Sequence, residues 1–92
     1  MEEKAKKIAE MLRLLANENR LLILCALIRG PLTVSNIAEF VPNITASALS
    51  QHLTLLKTAG ILESDKHAQN VTYSVADARV AEVIATLKKY YC

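Results

Sequence analysis

The chain has 92 residues, 52% of them hydrophobic, and 11 Lys and Arg against 9 Asp and Glu, for a net charge of +2. A domain of this size buries too small a share of its surface to enclose a deep substrate cleft beside its core, which argues against an elaborate enzyme, while its apolar content argues against disorder. The longest apolar run, Leu21–Ile28, falls well short of the roughly 20 residues of a membrane span, and Met1-Glu2-Glu3-Lys4 does not read as a signal peptide, so a cytosolic protein without a membrane partner is expected.

From Glu2 to Leu15 the apolar residues Ile8, Met11, Leu12 and Leu15 recur at helical spacing, with Glu2 and Glu3 at the end of the helix dipole that favours them. Asn17 offers a cap for a second helix over Arg20–Ile28, which Gly30-Pro31 ends; its near-continuous hydrophobicity predicts a central position. Thr33 caps a short third helix through Asn36, Ile37, Ala38 and Phe40, broken at Pro42, and Pro42-Asn43 forms a turn. Thr45 caps a fourth helix that runs to about Ala59 and closes at Gly60. On that helix Ala46, Leu49, Leu53 and Leu56 share one side, while Ser47, Gln51, Thr54 and Thr58 line the other, with Ser50 at its edge. Ile61–Asp65 and Val71–Val75 read as strands joined by a polar, mobile tip, Lys66–Asn70. A final helix, about Asp77 to Tyr91, carries the stripe Val80, Val83, Ile84, Leu87 and Tyr91, with Lys88 and Lys89 near its negative end.

This order predicts a mainly α fold with a β-hairpin wing, a winged helix-turn-helix over residues 1–92. The polar side of the fourth helix then suits the major groove, where Gln pairs bidentately with adenine and Ser bonds donor or acceptor edges. Ser47, Ser50, Gln51 and Thr54 are the candidates, with Lys57 added to the DNA-facing set. His52, on the flank, either touches a phosphate or completes the packing. Lys66, His67 and Gln69 at the wing tip suit phosphate or minor-groove contact. The bland alternative is an ordinary solvated face; the ordered context of turn, helix, Gly and hairpin favours double-stranded DNA.

The outer helices carry the second expectation. The stripes Ile8, Met11, Leu12, Leu15 and Val80, Val83, Ile84, Leu87, Tyr91 exceed what so small a core absorbs, which predicts a homodimer through the first and fifth helices. Such a dimer sets its two recognition helices about 34–36 Å apart on successive major-groove faces, and so calls for a palindromic operator. Two cysteines remain: Cys25, inside the apolar run, and Cys92, the last residue. A lone pair in a cytosolic protein is rarely a structural disulfide, so they are either inert thiols or chemically active. Cys25 alone fits a small core residue.

The stretches Leu14-Leu15-Ala16-Asn17-Glu18-Asn19-Arg20-Leu21, Ser47-Ala48-Leu49-Ser50-Gln51-His52-Leu53 and Leu56-Lys57-Thr58-Ala59-Gly60-Ile61-Leu62 resemble the ArsR/SmtB bacterial repressors over almost the whole chain. The resemblance implies a homodimeric repressor that leaves its operator when an inducer binds, a metal ion in most members. Two metal patterns of that family are missing: Val34–Phe40 holds no Cys-x-Cys, and the final helix has Asp77, Arg79 and Glu82 but no histidine, so neither a metal nor another cofactor is expected. Cys25 within Leu22-Ile23-Leu24-Cys25-Ala26-Leu27 and Cys92 after Ile84-Ala85-Thr86-Leu87-Lys88-Lys89-Tyr90-Tyr91 instead resemble the dithiol branch of the family. That resemblance implies a redox sensor of persulfides and related oxidants, in which Cys25 and Cys92 approach each other and become bridged by a disulfide or polysulfide. Lys88 and Lys89 favour a thiolate at Cys92 while the helix C-terminus and its own carboxylate oppose one, so either cysteine can be the first to attack. The competing expectations are a metal-responsive member with an unrecognised site, and a winged helix that binds only protein.

Overall fold

The computed structural model describes residues 1–91. In chain order it contains α1 (Glu2–Leu15), α2 (Glu18–Leu27), β1 (Leu32–Thr33), α3 (Val34–Phe40), α4 (Ala46–Thr58), β2 (Leu62–His67), β3 (Asn70–Val75) and α5 (Ala78–Tyr91). Side-chain caps begin four of the helices. Asn17 Oδ1 accepts the Arg20 amide at 3.1 Å, Thr33 Oγ1 the Asn36 amide at 3.2 Å, and Thr45 Oγ1 the Ala48 amide at 3.0 Å. Asp77 Oδ1 accepts the amides of Arg79 at 2.9 Å and Val80 at 3.4 Å. Each bond satisfies an amide that the first turn of a helix leaves without a backbone partner.

The end of α4 is equally determined. Gly60 takes φ +79°, its amide donates to the Lys57 carbonyl at 3.0 Å, and the Ile61 amide donates to Leu56 at 3.0 Å. That pair of bonds is the Schellman arrangement, and it needs a left-handed residue at this position. The turn sends the chain straight from α4 into the sheet, with Ile61 and Leu62 both buried.

The sheet is antiparallel in the order β1-β3-β2. Leu32 pairs with Tyr73 and Thr33 with Thr72, while β2 and β3 run in register from Leu62↔Val75 to His67↔Asn70. Two features differ from the sequence expectation. The strand β1 was not foreseen, because two residues after Pro31 show no alternation, and Thr33 serves both as strand residue and as helix cap. The wing tip is also tighter: the ladder reaches His67 and Asn70, leaving only Ala68 and Gln69 to turn, with Ala68 at φ +55°. A two-residue hairpin turn with a positive φ at its first central position favours glycine, so Ala-Gln gave no turn signal.

The core is assembled around α2, whose Ile23, Leu24 and Leu27 are buried. Leu15 of α1, Ile37 of α3, Leu49, Leu53 and Leu56 of α4, and Val80 and Ile84 of α5 close over them. Ala46, grouped with the core side of α4 by periodicity, is exposed, because it lies in the first turn beyond the edge of the core. The α1 helix is anchored at its C-terminal end, where Arg20 Nε donates to the Leu14 carbonyl and Leu15 is buried.

Two outcomes follow. Ala68→Gly removes the left-handed penalty of an alanine and should raise the unfolding midpoint, by about 0.5–1 kcal/mol in urea melts. The Arg79 guanidinium and two amides on the Asp77 carboxylate lower its pKa from 3.8 to about 2. Because the folded value is the depressed one, the stabilisation is complete above the unfolded pKa and is lost as pH falls from about 4 toward 2. Asp77→Ala should therefore cost about 1 kcal/mol at neutral pH, with the gap to the parent chain closing across that acid window.

Candidate nucleic-acid interface

One side of α4 is committed to the fold through Leu49, Leu53 and Leu56, leaving the other in solvent. Ser47, Ser50, Gln51, Thr54 and Lys57 are all exposed, and His52 is half-buried on the flank, as a residue between the two faces should be. Ser50, Gln51, Thr54, Leu55 and Thr58 line a shallow, open groove. In the expectation from the sequence, Leu55 belongs to neither of the two sides. Its position is the overlooked signal: two residues past Leu53 is roughly 200° around the helix, on the polar side, and it is 41% exposed.

The wing presents Lys66, His67 and Gln69 to solvent. His67 Nε2 lies 2.9 Å from Asp65 Oδ2, both side chains being largely exposed. A carboxylate thus stands beside the histidine that the sequence marked for phosphate contact. The pairing arises because residues 65 and 67 project from the same face of β2. Glu63, also on that face, lies within 3.5 Å of the Ser74 hydroxyl, which donates to it.

The apolar stripes divide. Leu15, Val80 and Ile84, expected at a dimer interface, are at most 4% exposed and belong to the chain's own core. Met11 and Val83 pack partly against that core, whereas Ile8, Leu12, Leu87 and Tyr91 stay in solvent together with Tyr90, which the sequence stripe omitted. The physical reason is that periodicity defines a helix face along its whole length, while the core covers only part of it. Beside the exposed half of α1 an open groove, lined by Lys7, Ile8, Met11, Leu14, Ile61 and Arg79, runs to the start of α5.

Cys25 is half-buried on α2, packed against the core cluster. The Lys88 ammonium, from the last turn of α5, donates to the Cys25 carbonyl at 3.5 Å. Arg20, the nearest cation on the N-terminal side of α2, is engaged elsewhere, on Leu14. Cys92 lies outside the described residues. Among the described residues no cluster of three His, Cys, Asp or Glu side chains is disposed to hold a metal ion, and no helix is long and apolar enough to cross a membrane.

Residues 17–64, from the cap of α2 into β2, match the model of the arsR family of bacterial regulatory proteins. The chain belongs to this family. It is 36% identical over all 92 residues to the HTH-type transcriptional regulator YgaV of Escherichia coli, covering 93% of that protein. It is 37% identical to the transcriptional activator HlyU of Vibrio cholerae, again over all 92 residues and 84% of that protein. The solved structure of reduced HlyU superimposes with a TM-score of 0.94 over 100% of this chain and 96% of the other. That of the transcriptional repressor BigR from Xylella fastidiosa gives 0.90 at 28% identity, covering 100% and 93%. The five helices and three-stranded sheet are thus the winged helix-turn-helix of this family, and the chain is a DNA-binding transcriptional regulator rather than an enzyme.

The two faces of α4 should separate in a stability measurement. Leu53→Ala opens the core and should cost about 2–5 kcal/mol, whereas Gln51→Ala, on the exposed face, should stay within about 0.5 kcal/mol of the parent chain in chemical denaturation.

Proposed function

We propose that the chain is a homodimeric repressor that holds a palindromic operator through α4 and the wing, and that releases it when reactive sulfur species or oxidants bridge Cys25 and Cys92. The observation that carries this reading is the bond from Lys88 to the Cys25 carbonyl, which joins residues 63 apart in sequence. It brings the last turn of α5, four residues ahead of Cys92, against the helix that holds Cys25. In the DNA-binding role, Ser47, Ser50, Gln51 and Thr54 read base edges, while Lys57, His52, Lys66, His67 and Gln69 meet phosphates or the minor groove. The exposed Ile8, Leu12, Leu87, Tyr90 and Tyr91 supply apolar surface for the partner subunit.

The chemistry needs only the two thiols and a persulfide. One cysteine, as thiolate, attacks the outer sulfur of a persulfide, breaks its S–S bond and releases the parent thiol, leaving a protein persulfide. The second cysteine's thiolate attacks the inner, protein-bound sulfur and expels hydrosulfide, forming the disulfide. Both cysteines are oxidised by two electrons in total, and the sulfane sulfur is reduced to hydrogen sulfide. Where both cysteines have first been persulfidated, loss of one hydrosulfide leaves a trisulfide, which spans a wider gap than a disulfide allows. Either bridge ties α5 to α2. It lowers DNA affinity to the extent that the tethered form favours a different spacing of the two recognition helices.

Gel shift on a palindromic operator tests the reading. The reduced chain should bind with an affinity that falls steeply as salt rises, and treatment with glutathione persulfide should abolish the shift, with intact mass showing loss of two hydrogens or addition of bridging sulfur. Cys25→Ser should bind equally well and ignore the persulfide; a reduced variant that fails to bind, or one that still responds, would sink the mechanism. Gln51→Ala should weaken operator binding by about 1–3 kcal/mol, chiefly against adenine-containing positions.

A further inference from the structure

The last turn of α2 contains Cys25, so its carbonyl is among those at the negative end of that helix. Ile28 donates to Leu24 and Gly30 to Leu27, both at 3.1 Å, and the Cys25 carbonyl accepts the Lys88 ammonium from another element altogether. A lysine on the α5 surface has the whole solvent available to it, yet this one is half-buried against α2. The electrostatic consequence falls on the cysteine. The helix terminus and the apolar packing both disfavour a charged thiolate at Cys25, whereas an ammonium held on the same residue's backbone favours one.

We infer that Lys88 is the positioning residue of the thiol site: its ammonium, seated on the Cys25 carbonyl, keeps Cys25 sufficiently ionised near neutral pH to attack an electrophilic sulfur. The inference rests on the reading of Cys25 as the sensing thiol. On α2 the other charged side chains are Glu18 and Arg20 in the first turn, the latter bonded to Leu14, and Arg29, exposed just past the helix end. Around α2 the core receives Leu14 and Leu15 from α1, Ile37 from α3, and Tyr73 and Val75 from β3, of which only the Tyr73 phenol titrates. On α5, Lys89 is turned to Tyr90, with Nζ 5.5 Å from the ring centre.

The test is the pH profile of alkylation. The reduced, full-length chain is pulsed with iodoacetamide across the pH range, and trypsin, cutting after Arg20 and Arg29, releases residues 21–29 so that Cys25 is quantified separately from Cys92. Lys88→Met should move the Cys25 midpoint upward and slow its alkylation at neutral pH roughly three- to ten-fold, and Lys88→Arg should restore most of the rate. A merely structural role would loosen the packing and speed alkylation at every pH without moving the midpoint; that result, or superimposable profiles, overturns the inference. Should Lys88→Met fail to fold, the parent chain reports the same effect against salt: screening the ammonium should raise the midpoint, and an unmoved midpoint overturns the inference. Alkylation requires neither operator nor bridge. A shifted midpoint with persulfide-insensitive DNA binding therefore refutes the sensing function and leaves the action of Lys88 standing, while the reverse pattern refutes Lys88 alone.

Discussion

The burial of α2 is the constraint on which the rest of the structure depends. Ile23, Leu24 and Leu27 are removed from water completely or nearly so, and α1, α3, α5 and β3 all pack against this one helix. Each such side chain contributes about 1.5–3 kcal/mol when fully buried, so a helix of ten residues holds together elements spread along the entire chain. Its position has a second effect. A residue on α2 has a neighbour from almost every part of the fold, which is how Lys88 in the last turn of α5 comes to touch Cys25.

The α4 helix is fastened to that core by one side only. Leu49, Leu53 and Leu56 hold α4 down, the Thr45 cap and Gly60 turn define its two ends, and the polar side is left without intramolecular duty. This division frees the exposed residues from packing constraints, so that they can be changed while the fold is retained. The match to the arsR family spans residues 17–64, which include α2, α3 and α4. The outer helix α5, which carries Lys88, lies beyond that segment, although the relatives YgaV and HlyU align with the full chain.

The helices were legible because their signals are local. Asn17, Thr33 and Thr45 sit where caps are needed, and the spacing of Leu49, Leu53 and Leu56 marks the buried side of α4 without any knowledge of its neighbours. Less legible were the features whose cause lies elsewhere in the chain. The strand β1 exists because Leu32 and Thr33 meet β3, forty residues later in sequence, and the wing extends to His67 because pairing with Asn70 outweighs a poor turn residue at Ala68. The Asp65–His67 pair has the same origin, because it needs β2 to continue past Asp65 so that both residues share one face, and Leu55 differs from the core leucines only in the side of α4 it occupies.

Two stripes of similar appearance met different fates. On α1, Leu15 is buried while Ile8 and Leu12 are not; on α5, Val80 and Ile84 are buried while Leu87 and Tyr91 are not. The amino-acid sequence by itself determined which residues share a face, where the caps of α2, α3 and α4 stand, and that the face of α4 away from the core is polar, since these follow from backbone geometry and neighbouring side chains. Only the tertiary structure decided how far along each stripe the core reaches, and that the end of α5 comes to rest on Cys25. Those outcomes depend on the packing of segments distant in sequence, and no local periodicity encodes that packing.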